Sequence, residues 1–483
     1  MRFVDYKYDF HQHLLSTRHL VFSPSRTRFR VMATPFTSLT FTVRRCEPEL
    51  VAPAKPTPHE CKLLSDIDDQ ESLRFQIPVI QFYRHNPSMQ GKDPAKIIRE
   101  ALAKALVFYY PFAGRLREGP NRKLMVDCTG EGVLFIEADA DVTLEQFGDE
   151  LHPPFPCFDE LLYDVPGSEG MLNCPLLLIQ ITRMKCGGFI FAVRLNHVMS
   201  DGAGLKQLMS AVGEMARGMV TSSIPPVWER HLLDAGDPPR VMFTHHEYDE
   251  VEGIITPPDN MVQRAFFFGP NEISSLRRLL PRHLRQCSKF ELLTACLWRC
   301  RTVAINPDPD DEVRMLCVAN TRSKFNPPLP SGYYGNAVVF PAAKTTARKL
   351  FRNPLGYAVE LVKQAKASVT EEYVKSVSSL MVIRDKQLHF PVVRSFLISD
   401  VTNFGFGDVD YGWGKAVFGG PAKALGPISF LIQSKDKNGE VGTLVSICLP
   451  APAMESFAKE LDNILKGQPV EDVGKPIKIS SAM

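Results

Sequence analysis

Apolar residues recur along this chain with two different periods, and the places where the period changes mark its elements. Over residues 94–106, Ile97, Ile98, Ala101, Leu102, Ala105 and Leu106 fall on one face at helical spacing, which predicts an amphipathic helix. Residues 124–128, 133–138, 175–182 and 188–195 are short apolar runs of strand type, with Gly130 and Gly132 punctuating the first two. After Gly204 the helical period returns in Leu205, Leu208, Met209, Val212, Met215 and Ala216. Between 222 and 258 no period is sustained, and Pro225, Pro226, Pro238, Pro239, Pro257 and Pro258 accumulate, so this stretch reads as a crossover.

Alternation then resumes. Ser288 and Glu291 form a capping box ahead of a helix through Arg301. Residues 313–319 read as a buried strand. Asn353-Pro354 reads as an N-cap and first helical position for a helix carrying Leu355, Ala358, Leu361, Val362 and Ala365. Residues 428–434 and 441–449 flank a polar turn and predict a hairpin. Met454, Phe457, Ala458, Leu461, Ile464 and Leu465 predict a final amphipathic helix. The pattern is that of an α/β protein in two halves, with mixed β-sheets and a long proline-marked connector.

Composition narrows the function classes. The 483 residues carry 56 basic and 54 acidic side chains, a formal net charge of +2, so no global field points to nucleic acid or an anionic membrane. The 11 cysteines are scattered without a C-x-x-C pair, and Cys296 and Cys300 sit in an apolar helical run; this predicts core thiols in a reducing, cytoplasmic setting. No apolar run approaches the roughly 18 residues of a membrane span. Residues 1–31 are set apart: no acid occurs from His11 to Val31, while Arg18, Arg26, Arg28 and Arg30 do. This segment is expected to be a disordered or transit-like extension ahead of a second plausible start at Met32.

Candidate chemistry centres on His197-Val198-Met199-Ser200-Asp201-Gly202, placed between a predicted strand and a predicted helix, where a rigid scaffold can aim one imidazole. The spacing alone proves little. With 12 histidines a bare H-x-x-x-D arises by chance about once, and His245 with Asp249 repeats it in a polar stretch that reads as a solvated loop. Neither a G-x-S-x-G elbow, a dinucleotide glycine loop, a Walker lysine motif nor a zinc spacing is present. A second marker is Asp410-Tyr411-Gly412-Trp413-Gly414, where glycines on either side of a tryptophan imply a tight turn around one large packed ring.

Together these residues resemble the BAHD acyltransferases, whose signatures are H-x-x-x-D near mid-chain and D-F-G-W-G nearer the C-terminus. Two further stretches look like family sequence: Tyr110-Pro111-Phe112-Ala113-Gly114-Arg115-Leu116 and Tyr333-Tyr334-Gly335-Asn336. Tyr411 departs from the usual phenylalanine, and its hydroxyl is tolerated if it finds a partner. Residues 56–70 look most like the alcohol acyltransferase branch, which includes benzyl alcohol O-benzoyltransferases and the ester-forming enzymes of plant scent.

The resemblance implies two similarly sized domains, here 32–225 and 259–483, joined by the crossover at 226–258 with a channel between them. It implies an acyl-CoA co-substrate, no permanently bound cofactor, no metal, and a small alcohol as acceptor. His197 is the expected general base. Asp410 is placed at the catalytic centre with it, although Asp410 and Trp413 are read more as shaping the site than as doing chemistry. Asp201, Gly202, Arg322, Gly412, Trp413 and Gly414 are expected to support the site, with Asp201 pointing away from the channel and paired with Arg322. Phe189, Phe191, Tyr333 and Phe404 are either pocket lining or core. The chain is expected to act as a monomer. Acylation of an amine or of a larger hydroxyl-bearing scaffold, and acyl-CoA binding without catalysis, remain the alternatives.

Overall fold

A computed structural model describes residues 39–148, 151–168, 170–251, 260–384, 388–424 and 428–467. The extension at 1–31 and the end of the crossover at 252–258 lie outside them. Two large mixed sheets organise these residues. The first contains β1 (Val43–Arg45), β2 (Glu49–Val51), β4 (Gln76–Tyr83), β7 (Val133–Ala140), β8 (Leu177–Met184), β9 (Phe189–Asn196) and β16 (Phe418–Pro421). Its order is β1-β7-β8-β9-β4-β16, with β2 also on β7; β7 and β8 run parallel and the other pairs antiparallel.

The second contains β10 (Met261–Phe268), β11 (Glu312–Cys317), β14 (Ala342–Thr346), β15 (Ser395–Asp400), β17 (Ile428–Lys435) and β18 (Val441–Pro450), in the order β10-β18-β17-β15-β11-β14. Here β15 lies parallel to both β11 and β17. Two small sheets, β3 (Cys61–Leu63) with β5 (Arg115–Glu118) and β6 (Leu124–Asp127), and β12 (Ala319–Asn320) with β13 (Val338–Val339), complete the set.

Side-chain alternation on the second sheet divides its surroundings. Phe396, Ile398, Leu431, Val445 and Ile447 point into a core shared with helices Lys289–Ile305, Leu355–Ala367 and Ala451–Leu465. Leu397, Phe430, Ile432 and Leu444 point the other way and join the core of the first sheet. The halves therefore share one continuous apolar contact. β16 strengthens it: its residues belong to the C-terminal half, yet they pair with β4 in the first sheet, Pro421 opposite Val79.

The predicted helices at 94–106 and 204–218, and the final one carrying Met454 to Leu465, are observed as Pro94–Phe108, Gly202–Ala216 and Ala451–Leu465. At Asn353 the cap differs from expectation. The Asn353 amide donates to the Lys349 carbonyl at 2.8 Å and closes the preceding helix Ala347–Arg352, so the next helix starts from Pro354 without a side-chain cap. Among the described residues no helix is long and apolar enough to cross a membrane.

Candidate active site

His197 leaves the end of β9 at the first position of a single 3-10 turn, His197–Met199, and this turn delivers the chain into helix Gly202–Ala216. Its backbone is pinned on both sides. The His197 N–H donates to the Phe75 carbonyl at 2.9 Å, and the His197 carbonyl accepts from Asn336 Nδ2 at 2.8 Å. The ring packs against Phe75 at 5.0 Å between centroids. Nδ1 is closed off from solvent and has no hydrogen-bond partner among the described residues, which leaves Nε2 as the nitrogen a substrate can reach. Burial lowers the His197 pKa below its ordinary value, and the negative charge of Asp201 offsets this only in part. The imidazole is thus held neutral, the form that accepts a proton.

Asp201 is not the partner of that imidazole. Its Oδ1 accepts from the N–H groups of Ala203 and Gly204, both at 3.0 Å, and so caps the helix. Arg322 grips both carboxylate oxygens, NH1 to Oδ2 at 2.7 Å and NH2 to Oδ1 at 2.9 Å, and the Ala337 N–H adds a further bond to Oδ2 at 3.1 Å. Burial alone raises the Asp201 pKa, but the Arg322 charge and these bonds outweigh it and hold the carboxylate ionised. The expected pair of Asp201 with Arg322 is present, but Asp201 is not turned wholly away from the interior: it borders the same cavity as His197. Gly202 is small for a reason: a Cβ there stands 2.4 Å from the Phe404 ring.

A second buried network holds the catalytic turn, and the sequence pattern did not single it out. Asp68 Oδ1 accepts from Arg230 NH1 at 2.7 Å and from the backbone and side-chain N–H groups of Asn336 at 2.8 and 2.9 Å. Asn336 in turn holds the His197 carbonyl, while Arg230 NH2 holds the Met199 carbonyl at 2.9 Å. One carboxylate thereby fixes both ends of the turn that aims His197. Asp68 lies in Ser65-Asp66-Ile67-Asp68-Asp69-Gln70, within the stretch that resembles the alcohol acyltransferase branch. It is buried because its charges are paired: Asp66 with Lys123, Asp68 with Arg230, and Asp69 with Arg74.

Between the sheets lies a cavity of about 100 Å³, and His197 is on its wall. The lining draws on both halves: Ile77, Val79, Leu195 and Leu205 from one, and Val318, Val338, Leu397, Val401 and Ile428 from the other. Phe75, Phe340, Phe390, Phe404, Phe406 and Phe430 make it strongly aromatic. Of the four aromatics weighed as pocket or core, Phe404 lines the cavity. Phe189, Phe191 and Tyr333 are buried in the cores and are not part of its wall.

Asp410 corrects an expectation. Its Oδ1 accepts from the N–H groups of Gly412 and Gly414 at 2.7 and 2.8 Å, and none of residues 410–414 lines the cavity. Oδ1 of this carboxylate closes a turn, and the residue stands off the wall that carries His197. Gly412 and Gly414 have φ of +110° and +87°, a conformation side chains resist. Trp413 stands edge-on to Phe189 at 5.2 Å, and Tyr411 stacks on Phe191 at 5.1 Å. Phe189, Phe191 and the cavity residue Leu195 share one face of β9 by alternation, so this turn walls off the far end of the face that ends at His197. The Tyr411 hydroxyl finds its partner in Gln81 at 3.3 Å.

His245 is not in a solvated loop. It is buried, with Nδ1 on Glu247 at 2.9 Å and Nε2 on Ser376 at 2.8 Å, and Tyr373 donates to the same Glu247 oxygen at 2.6 Å. This network fastens the crossover to helix Glu371–Ile383. Among the described residues no cluster of three or more His, Cys, Asp or Glu has metal-binding geometry.

The comparisons with known proteins agree with this geometry. The chain is 68% identical over 436 residues to a benzyl alcohol O-benzoyltransferase of Nicotiana tabacum, covering 89% of this chain and 95% of that one. It is 66% identical over 453 residues to the Petunia hybrida protein of the same name, covering 92% and 98%. Vinorine synthase has the same fold in its crystal structure, with a TM-score of 0.69 at 22% identity over 88% of this chain and 98% of that one. The model of the Transferase family matches residues 41–464. With that match, the paired signature residues in place and relatives this similar over nearly the whole chain, the protein belongs to the BAHD acyltransferase family.

Proposed function

We propose that this chain is an acyl-CoA-dependent alcohol O-acyltransferase that joins a benzoyl or acetyl group to a small alcohol such as benzyl alcohol. The observation that carries the reading is His197: an imidazole sealed at Nδ1, on the wall of an aromatic cavity built from both halves. The alcohol oxygen attacks the thioester carbonyl carbon while its proton passes to Nε2. The C–S bond then breaks, and the imidazolium returns the proton to the departing thiolate. A hydroxyl is too weak an acid to ionise first, so proton removal accompanies attack. A positioned base contributes roughly 10²–10⁴ in rate. Holding the two substrates together and excluding water, which would hydrolyse the thioester, supply the rest.

Asp201 and Arg322 act through structure in this scheme, and so does the turn at Asp410–Gly414. Acyl-CoA is a co-substrate and no resident cofactor is invoked. We assign the units as 32–225 and 259–483, the second lending β16 to the first sheet, and the protein as a cytoplasmic monomer, in keeping with its 11 unpaired cysteines. A matrix of acyl-CoA donors against alcohols, amines and larger hydroxyl-bearing scaffolds, with products read by mass spectrometry, tests the reading. Benzoate or acetate esters of small alcohols are expected as the dominant products. Amides, esters of large scaffolds only, or no product with any donor would overturn it.

A further inference from the structure

Four residues on the cavity wall are polar: Ser72, His197, Asp201 and Ser399. Three have a task. His197 is the base, and Asp201 is committed to Arg322 and the helix cap. The Ser72 hydroxyl accepts from the Phe390 N–H at 3.1 Å and donates to the Leu388 carbonyl at 3.5 Å. Ser399 alone has no hydrogen-bond partner for its hydroxyl among the described residues, nor is that hydroxyl sealed from the cavity.

Its surroundings make this conspicuous. Along β15, alternation turns Leu397 and Ser399 to the cavity while Phe396 and Ile398 face the helices, and Val401 follows Ser399 on the wall. On β17, Phe430 stands directly opposite Ser399; on the other side Val318 follows β11, bonded through its N–H to the Ile398 carbonyl. A hydroxyl is therefore set in a patch of Leu397, Val401, Val318 and Phe430, where alanine or valine would suit a purely hydrocarbon ligand. When a ligand displaces water from this patch, the hydroxyl either meets an oxygen of that ligand or is left unpaired at a cost.

We propose that Ser399 is a specificity-determining residue: it hydrogen-bonds an oxygen on the body of the substrate, away from the reacting carbon, and so favours oxygen-bearing aromatic or aliphatic groups over their plain hydrocarbon counterparts. The inference rests on the acyltransferase reading. The oxygen belongs either to the acyl group or to the acceptor, and the two are separated by experiment.

Wild type and Ser399→Ala are compared with matched substrates. One arm sets benzoyl-CoA against meta- and para-hydroxybenzoyl-CoA with a fixed alcohol. The other sets benzyl alcohol against meta- and para-hydroxybenzyl alcohol with a fixed donor. In one arm the variant is expected to lose roughly tenfold in the ratio of kcat/KM for a hydroxylated member to that for the plain member. That arm identifies the source of the oxygen. An unchanged ratio of hydroxylated to plain substrate in both arms would overturn the proposal. So would an equal fall in kcat for every substrate, which would place the hydroxyl on the reacting carbonyl. The same pairs are measured for binding by calorimetry, so absence of turnover in wild type counts against the acyltransferase reading while the Ser399 preference is still decided by the affinity ratio.

Discussion

The chain contains the same five-residue pattern twice, and the two copies do opposite things. His197 stands on a cavity wall with Nδ1 unpartnered, its carbonyl and its turn gripped by Asn336 and Arg230. His245 is buried with both ring nitrogens engaged, by Glu247 and Ser376. In neither copy does the aspartate bond its histidine: Asp201 goes to Arg322, and Asp249 goes to His246, Arg314 and Lys344. The spacing therefore does not build a dyad. What distinguishes a base from a bracket is whether the ring has hydrogen-bonding capacity left over and open space to use it.

Exchanging the outcomes of the two copies is the strongest test. His197→Ala is expected to lower kcat by about 10²–10⁴ with the melting temperature close to wild type, since the turn is held through its backbone, by Phe75 and Asn336, and those bonds survive the substitution. Asp201→Ala is expected to act on the fold instead. It strands the Arg322 guanidinium and uncaps helix Gly202–Ala216, and breaking such a pair costs about 3–5 kcal/mol, so soluble yield and melting temperature fall together. Asp201→Asn, which keeps the capping oxygen, should recover part of that loss; equal melting temperatures for the two variants would contradict the division of labour between cap and ion pair. His245→Ala is expected to cost about 1–3 kcal/mol through the hydrogen bonds it makes to Glu247 and Ser376, although each keeps other partners. Its specific activity per folded molecule should stay near wild type, and a catalytic loss with an intact melting curve would erase the contrast between the copies.

Much of this contrast was legible in the residues and some was not. The strand before His197 and the helix after it follow from periodicity, because each buries one face against a single core. The tie between Asp201 and Arg322 was reachable from the family resemblance and from Arg322 following a buried strand. The pairing of Asp68 with Arg230 was not, because charges paired far apart in sequence leave no local signature; the resemblance of residues 56–70 to the alcohol acyltransferase branch did not reveal their partners at 74, 123 and 230. The same blindness put His245 in solvent. β16 went unrecognised because four residues, two of them glycine, carry no period, and their sheet lies in the other half of the molecule. Asp410 showed a different miss: it was placed at the catalytic centre beside His197, whereas it closes a turn off the cavity wall, which is the shaping part of its expected role.

The smallest expected effect probes how Asp68 reaches the base. Burial lowers the His197 pKa, while the charges of Asp201 and Asp68 pull it upward; each of those carboxylates is paired, with Arg322 and Arg230 respectively. The neutral imidazole is the active form, so the acid limb of kcat/KM against pH should lie below the ordinary imidazole value of about 6.5, and activity should already be on its plateau at neutral pH. Asp68→Asn keeps an acceptor oxygen toward Arg230 and Asn336 but removes one negative charge, which makes the imidazolium less favourable. The acid limb is then expected to move further down in pH, with kcat on the plateau reduced as the grip on the His197 turn loosens and KM for acyl-CoA little altered. A limb that stays fixed while kcat and melting temperature fall would mean that Asp68 supports the fold without influencing the base. A wild-type limb at or above the ordinary value would mean that the buried ring is not the group whose protonation limits the reaction.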